Sequence, residues 1–350
     1  MSPAELLARA REEHTFSGAA WAYGGSAGTV ASGTSGTLSW GGDAVRPDTL
    51  WDLASVTKPI AGLAVMALVE SGTLTLDDPV AAHLPEYAGT DKAGITVHEL
   101  LTHTSGLPGQ EPLWRRHATR DALLSALVRL PPRHAPGTRV EYSSVGFILL
   151  GLIAEHAAGT TLDKLVGEVV TGPAGMDATR FLLPEADRRR AAATEDCAWR
   201  GRIVRGTVHD ENAEVLGGVA GHAGLFGTLP DLAALGTALC RGGQGSRGRI
   251  LGERTLAVMT SPRTDHLALR RSLAWQGRDP YGCNGGDLLS PAAYGHTGFT
   301  GTSLWVDPVL DLFVVLLTNR VHPVRTSDAI TRLRPRFHNA AVTACLAARS

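Results

Sequence analysis

The chain has 350 residues, 43% of them hydrophobic and 19% charged, enough to bury a large core as one composite domain or two intimate ones. That balance excludes a disordered or fibrous chain. A formal net charge of −1 gives no electrostatic reason to propose nucleic acid or an anionic membrane as a partner.

Residues 1–13 read as a short amphipathic helix. They lack a basic n-region and a continuous apolar h-region, so no secretory signal is expected there and the cytoplasm is the default compartment. No apolar run reaches the length of a membrane span. Residues 17–24 and 28–40 predict two strands of an antiparallel hairpin joined at Gly24-Gly25-Ser26, followed by a loop over 41–54. The periodic segments that follow are helical: 55–71, 96–102, 119–130, 143–158, 161–170 and 230–241, separated by breaks rich in Gly and Pro. The last third returns to strands, at 271–276 and in a hairpin of 302–307 with 311–318, before a closing helix over roughly 325–347.

This order predicts an α+β fold. An antiparallel sheet is built from both chain ends (1–54 and 245–350) and flanked by helices, and a mostly helical insertion (55–244) fills the middle. Cys197, Cys240, Cys283 and Cys345 are far apart and lack a paired metal spacing, so they read as free buried thiols. Trp275 and Trp305 read as core residues of the sheet.

Three constellations carry chemistry. Ser55-Val56-Thr57-Lys58 places a hydroxyl and an amine one helical turn apart, at the start of a long apolar run. A lysine in an environment that favours its free amine can serve as base to a serine nucleophile. The same four residues also fit a helix-capping serine with a solvated lysine. The chain has only three lysines, Lys58, Lys92 and Lys164, and otherwise uses arginine. A lysine at position 58 therefore hints at a need for an amine able to lose its proton. Glu141-Tyr142-Ser143-Ser144 places a tyrosine in a loop ahead of an apolar helix, and Tyr294-Gly295-His296-Thr297-Gly298-Phe299 leads into the C-terminal hairpin.

In that order and at those wide spacings, the three segments resemble the motif set of penicillin-recognising serine enzymes. In class A β-lactamases and penicillin-binding proteins the related set is Ser-x-x-Lys with Ser-Asp-Asn and Lys-Thr-Gly. The tyrosine and histidine versions here are similar to class C β-lactamases, soluble D-Ala-D-Ala carboxypeptidases, and the esterases and transacylases that share their fold. Leu100–Pro108, Gly218–Phe226 and Gly301–Pro308 also match segments typical of the superfamily, so the resemblance covers most of the chain.

The resemblance implies that Ser55 forms an acyl-enzyme, that Lys58 helps to take its proton, and that Tyr142 shuttles a proton to the leaving group or from the acceptor. The oxyanion would be held by the backbone N–H groups of Ser55 and Phe299. His296 would donate to Tyr142 or to substrate, and Thr297 would support the same site. Gly298 would let substrate approach the strand. Ser144 would either orient Lys58 or the substrate, or cap the following helix. No step requires a metal or an organic cofactor. His103 reads as a residue that holds its loop. His209 and His222 lack a histidine partner at helical spacing, so they read as lining or bracing the cleft rather than as metal ligands.

The implied substrate is a small ester, amide or β-lactam-like molecule, with water, an amine or an alcohol as acyl acceptor. Carboxypeptidase-like members carry a hydroxyl residue directly after Thr-Gly, where this chain has Phe299. That difference and the missing export signal favour an esterase or amidase, or a transacylase, over a cell-wall peptidase or β-lactamase. A non-catalytic sensor is a further alternative, disfavoured by retention of Ser55, Lys58 and Tyr142 together.

Overall fold

The computed structural model describes residues 1–349, and ten strands form among them. They are β1 (Gly18–Gly25), β2 (Gly28–Gly36), β3 (Trp51–Asp52), β4 (Ala193–Cys197), β5 (Arg202–Arg205), β6 (Phe226–Gly227), β7 (Gln276–Gly277), β8 (Tyr294–Thr297), β9 (Ser303–Asp307) and β10 (Leu312–Thr318). Six of them make one antiparallel sheet in the order β2-β1-β10-β9-β8-β7, so the two chain ends meet at its centre. There Ala19 pairs with Thr318 and Tyr23 with Val314. All seven residues of β10 are buried, as expected of a central strand covered on both faces.

Alternation divides the sheet's side chains between two cores. Ala19, Tyr23, Val314 and Leu316 face the terminal helices Pro3–Glu12 and Ala329–Ala347, packing with Leu7, Ile330, Phe337 and Val342. Ala20, Ala22, Phe313, Val315 and Leu317 face the opposite way and join the main core. The helix Leu229–Cys240 lies against this second face, touching β1, β9 and β10, although in sequence it falls within the predicted helical middle. The helix Thr57–Glu70 runs through the main core with nearly every residue buried and packs on Ser144–Ala158.

The structure differs from the sequence expectations in four places. Residues 271–275 are not a strand. Leu273 N–H bonds Met259 O, Ala274 N–H bonds Leu101 O, and Ala274 has φ +67°, so only Gln276–Gly277 reach the sheet. The closing helix begins at Ala329 rather than 325, because the Arg320 guanidinium holds the carbonyls of Arg325 and Ser327 in a loop. The two-stranded ribbons β3–β6 and β4–β5 are additional to the expected strands, being too short to show an alternating pattern. Of the four cysteines, all free, Cys240 is only partly buried.

Asn319, just past β10, joins the chain ends. Its Oδ1 accepts from the N–H groups of Ser17 and Gly18, and its Nδ2 donates to Ser17 Oγ and to the carbonyls of Leu38 and Ala193. Asn319→Ala would leave several of these buried groups unpaired. Urea unfolding should show a loss of about 2–5 kcal/mol; a loss below about 1 kcal/mol would show that water replaces the amide.

Candidate active site

Ser55 sits in a single 3₁₀ turn, Ala54–Val56, immediately before the helix Thr57–Glu70. No side chain caps either element, so Ser55 is not a helix cap. Ala54 has φ +47°, a left-handed conformation rare for a residue with a Cβ, and its N–H is held by Asp52 Oδ1 at 2.8 Å. Burial raises the Asp52 carboxyl above its ordinary range.

Lys58 has no exposed surface, which overturns the reading of a solvated lysine. Its Nζ donates to Ser55 Oγ at 3.0 Å and to the carbonyl of His222 at 3.2 Å. The amine also lies 4.8 Å from the centre of the Tyr142 ring and 5.9 Å from that of Phe147. No carboxylate forms an ion pair with it among the described residues. The Tyr142 hydroxyl makes no hydrogen bond within the described chain, so the ring face, not the phenol oxygen, is what meets the lysine.

Tyr142 is enclosed by basic side chains. Its ring centre lies 4.7 Å from that of His103, 5.9 Å from that of His296, and 5.5 Å from the Arg271 guanidinium carbon. Arg271 is buried and its Nε has no partner among the described residues. Sequence reasoning missed it, since nothing around Arg270-Arg271 distinguishes one arginine from the other. Burial, then the cations Lys58 and Arg271, hold the His296 ring well below its ordinary value; burial, then Arg271 and Lys58, do so for His103.

His296 Nδ1 bonds the carbonyl of Thr297 at 2.9 Å, and its buried Nε2 has no partner among the described residues. Among the described residues His296 makes no hydrogen bond to Tyr142, whose ring centre is 5.9 Å away. His103 Nδ1 accepts the Ser143 N–H at 2.9 Å and so holds the loop ahead of the helix Ser144–Ala158. The cap of that helix is Ser143, whose Oγ accepts from Gly146 N–H, and not Ser144. Ser144 Oγ makes no hydrogen bond to Lys58 or to any other group of the described chain. It lines the cavity beside Ser55 instead.

At Gly298 the chain itself leaves no room for a side chain. A Cβ there would lie 2.0 Å from Thr302 Oγ1 and 2.5 Å from the carbonyl oxygen of Leu53. The turn that follows is sewn to the segment preceding Ser55: Thr300 Oγ1 donates to Asp52 O at 2.7 Å and Thr302 Oγ1 to Leu53 O at 2.9 Å. The N–H groups of Ser55 and Phe299 make no hydrogen bond within the described chain and belong to these two joined segments.

A cavity of about 310 Å³ opens above Ser55. Pro112, Trp114 and Phe299 give it apolar walls; Glu111, Asp210, Glu211 and Arg325 give it charge. Phe299 is 40% exposed and its ring is covered by the guanidinium of Arg320 at 4.2 Å and by the His209 ring at 5.6 Å. The cavity's charges are largely satisfied. Arg325 bonds Glu195 and Glu211, while Glu111 pairs with Arg133. His222 Nε2 donates to Asp210 Oδ1 at 2.9 Å. Burial acts to raise the Asp210 carboxyl, but the His222 ring and its hydrogen bond outweigh it and hold the group well below the usual carboxylate range. His209 Nε2 meets Glu195 at 3.0 Å, so both histidines brace the cavity wall.

The fold, a mixed helix and antiparallel-sheet body, matches those of solved β-lactamase-like and penicillin-binding-protein-like structures. The β-lactamase family model matches residues 4–335, and the chain belongs to that family, within a superfamily of serine hydrolases. It is 33% identical over 305 residues to a protein of Escherichia coli (strain K12) named "Putative D-alanyl-D-alanine carboxypeptidase", covering 78% of this chain and 70% of that one. Among solved structures, the hydrolase EstCE1, described as having promiscuous acyltransferase activity, superposes with a TM-score of 0.78 at 22% identity, covering 97% of each chain. A class C β-lactamase from Rhodobacter sphaeroides gives 0.76 at 23% identity over 98% of this chain and 99% of its own. No single helix among the described residues is long and apolar enough to cross a membrane.

The neutral histidines make stability depend on pH. An unfolded imidazole titrates near about 6.5, whereas folded His103 and His296 titrate well below that and His338 is held at about 4 by burial. Protons are therefore taken up preferentially by the unfolded chain. The contribution is complete above the unfolded value and is lost as pH falls from there toward the folded values. The urea midpoint should decline between pH 7.5 and 5; a constant midpoint would show that the rings titrate in place.

Proposed function

We propose that this protein is a serine acyl-transfer enzyme that works through an acyl-enzyme on Ser55 and acts as a hydrolase on an ester or amide. The observation that carries the reading is the 3.0 Å bond between Ser55 Oγ and the amine of a lysine with no exposed surface. No carboxylate pairs with that amine among the described residues, and at hydrogen-bond distance it is placed to take the serine proton.

Ser55 Oγ bonds to the substrate's acyl carbon as its proton passes to Lys58. The N–H groups of Ser55 and Phe299 hold the oxygen on which charge develops. Collapse of the tetrahedral adduct breaks the bond to the leaving group, which takes up the proton by way of Tyr142, whose hydroxyl is not otherwise engaged. Water then attacks the ester on Ser55 with the same groups in reverse, which restores the serine proton.

Lys58, Tyr142 and His296 do not line the cavity that Ser55 opens into. Since the leaving group must depart beside a proton donor, the cavity is where the acyl portion sits. Its walls, Phe299, Trp114 and Pro112, suit an apolar or aromatic acyl group.

Incubation with a chromogenic short-chain ester should add the acyl mass to Ser55 and release product. Ser55→Ala should abolish both, and Lys58→Met and Tyr142→Phe should each lower the rate by about 10²–10⁴. Equal activity in wild type and Ser55→Ala would sink the proposal. A D-Ala-D-Ala peptide, a β-lactam, and candidate amines and alcohols added to the same assay identify the preferred acyl donor and acceptor by mass spectrometry.

A further inference from the structure

We propose that Arg334 is a positioning residue that aims and polarises the Phe299 N–H, the oxyanion donor, by gripping the carbonyl of the same peptide group from behind. The inference rests on the acyl-enzyme reading above. Arg334 projects from the helix Ala329–Ala347 and is 6% exposed. Its Nη2 donates to the Gly298 carbonyl at 2.6 Å and to the Thr302 carbonyl at 3.1 Å.

The geometry of a peptide bond links the two ends of this interaction. Gly298–Phe299 is trans, the one cis bond among the described residues being His322–Pro323. In a trans peptide the C=O and N–H point in opposite directions, so a donor fixed on the Gly298 carbonyl fixes the Phe299 N–H on the other side. A cation on the carbonyl also withdraws electron density across the amide and strengthens its N–H as a donor. Arg320 Nε holds the next carbonyl, that of Phe299, at 2.7 Å, so the plane cannot easily swing about its C-terminal neighbour.

Arg334 is poorly explained as a structural ion pair. Among the described residues no carboxylate pairs with it, its buried Nε has no partner, and burial followed by the charge of Arg320 lowers its pKa to about 9. A charge kept in so unfavourable a place is retained for what it touches. What it touches is the turn that carries the second oxyanion donor.

The test uses Arg334→Met and Arg334→Lys in the full chain, with folding checked by circular dichroism. Steady-state kinetics on an ester should show kcat reduced by about 10–100-fold in Arg334→Met with KM within about threefold of wild type, a loss confined to the transition state. Affinity for a boronic acid, which forms a tetrahedral adduct on a serine oxygen, should fall by a similar factor. Arg334→Lys, able to reach the Gly298 carbonyl with one donor, should recover part of both.

An independent readout needs no turnover. Gly–Phe peptide bonds occur only at Gly146–Phe147 and Gly298–Phe299, so [1-¹³C]Gly, [¹⁵N]Phe labelling gives two carbonyl-to-nitrogen cross-peaks. One peak should move in Arg334→Met while the other stays in place. A folded Arg334→Met enzyme with both peaks unmoved, or with kcat and boronate affinity within about threefold of wild type, overturns the assignment while Ser55 chemistry stands. Absence of any acyl adduct on Ser55 in the wild type overturns the function and this assignment together.

Discussion

The site depends on a junction between two stretches of chain nearly 250 residues apart. Thr300 and Thr302 donate their hydroxyls to the carbonyls of Asp52 and Leu53, at a point where Gly298 has no room for a side chain. Leu53 N–H in turn bonds Leu225 O, and Leu225 N–H bonds Thr57 Oγ1. The end of a sheet strand, the turn before the buried helix and the β3–β6 ribbon are thus held as one piece. A reacting group positioned by this piece keeps its geometry without relying on mobile side chains, which is what pre-organisation requires.

On that frame the lysine is the least favourable component. Its surroundings supply one carbonyl, one hydroxyl and two aromatic faces, but no ion pair among the described residues. The nearest compensating charge comes through His222, whose carbonyl faces Lys58 and whose ring bonds Asp210. The carboxylate forms no ion pair with the amine, and against the effect of burial Asp210 is held low first by His222 and last by the charge of Lys58. Under the proposed function a direct salt bridge would compete for the amine that is to take the serine proton, and none forms among the described residues.

Much of this is legible in the sequence. The three motifs sit in register with local structure: a hydroxyl and an amine one turn apart, a tyrosine before a capped helix, and a histidine strand entering the hairpin. The sheet from both chain ends follows from apolar runs such as Leu312–Thr318, whose burial on two faces leaves a continuous hydrophobic signature. Contacts made by residues without a local pattern cannot be read in this way. Arg271 and Arg334 are two among many arginines, and only the fold shows that both are buried without an acid among the described residues. The direction of the His296 proton likewise follows from its Nδ1 bond to Thr297, a matter of ring rotation that sequence does not encode. Ser143 and Ser144 are interchangeable as candidates until the helix start assigns the cap to the first and the cavity to the second.

Three buried basic side chains lie around the candidate site, alongside the buried carboxyl of Asp52. Lys58, Arg271 and Arg334 are basic and unpaired among the described residues, while the carboxylates Asp210, Glu195 and Glu211 are held by His222, His209 and Arg325 at the cavity wall. Burial first, and these basic groups second, hold the rings of His103 and His296 well below their ordinary values, and the same groups favour any nearby species on which negative charge grows. In the reaction proposed above, the tetrahedral oxyanion at Ser55 is one such species. Under the proposed function these unpaired basic groups lie where negative charge would develop, and the two-faced core around the sheet offsets the cost of burying them.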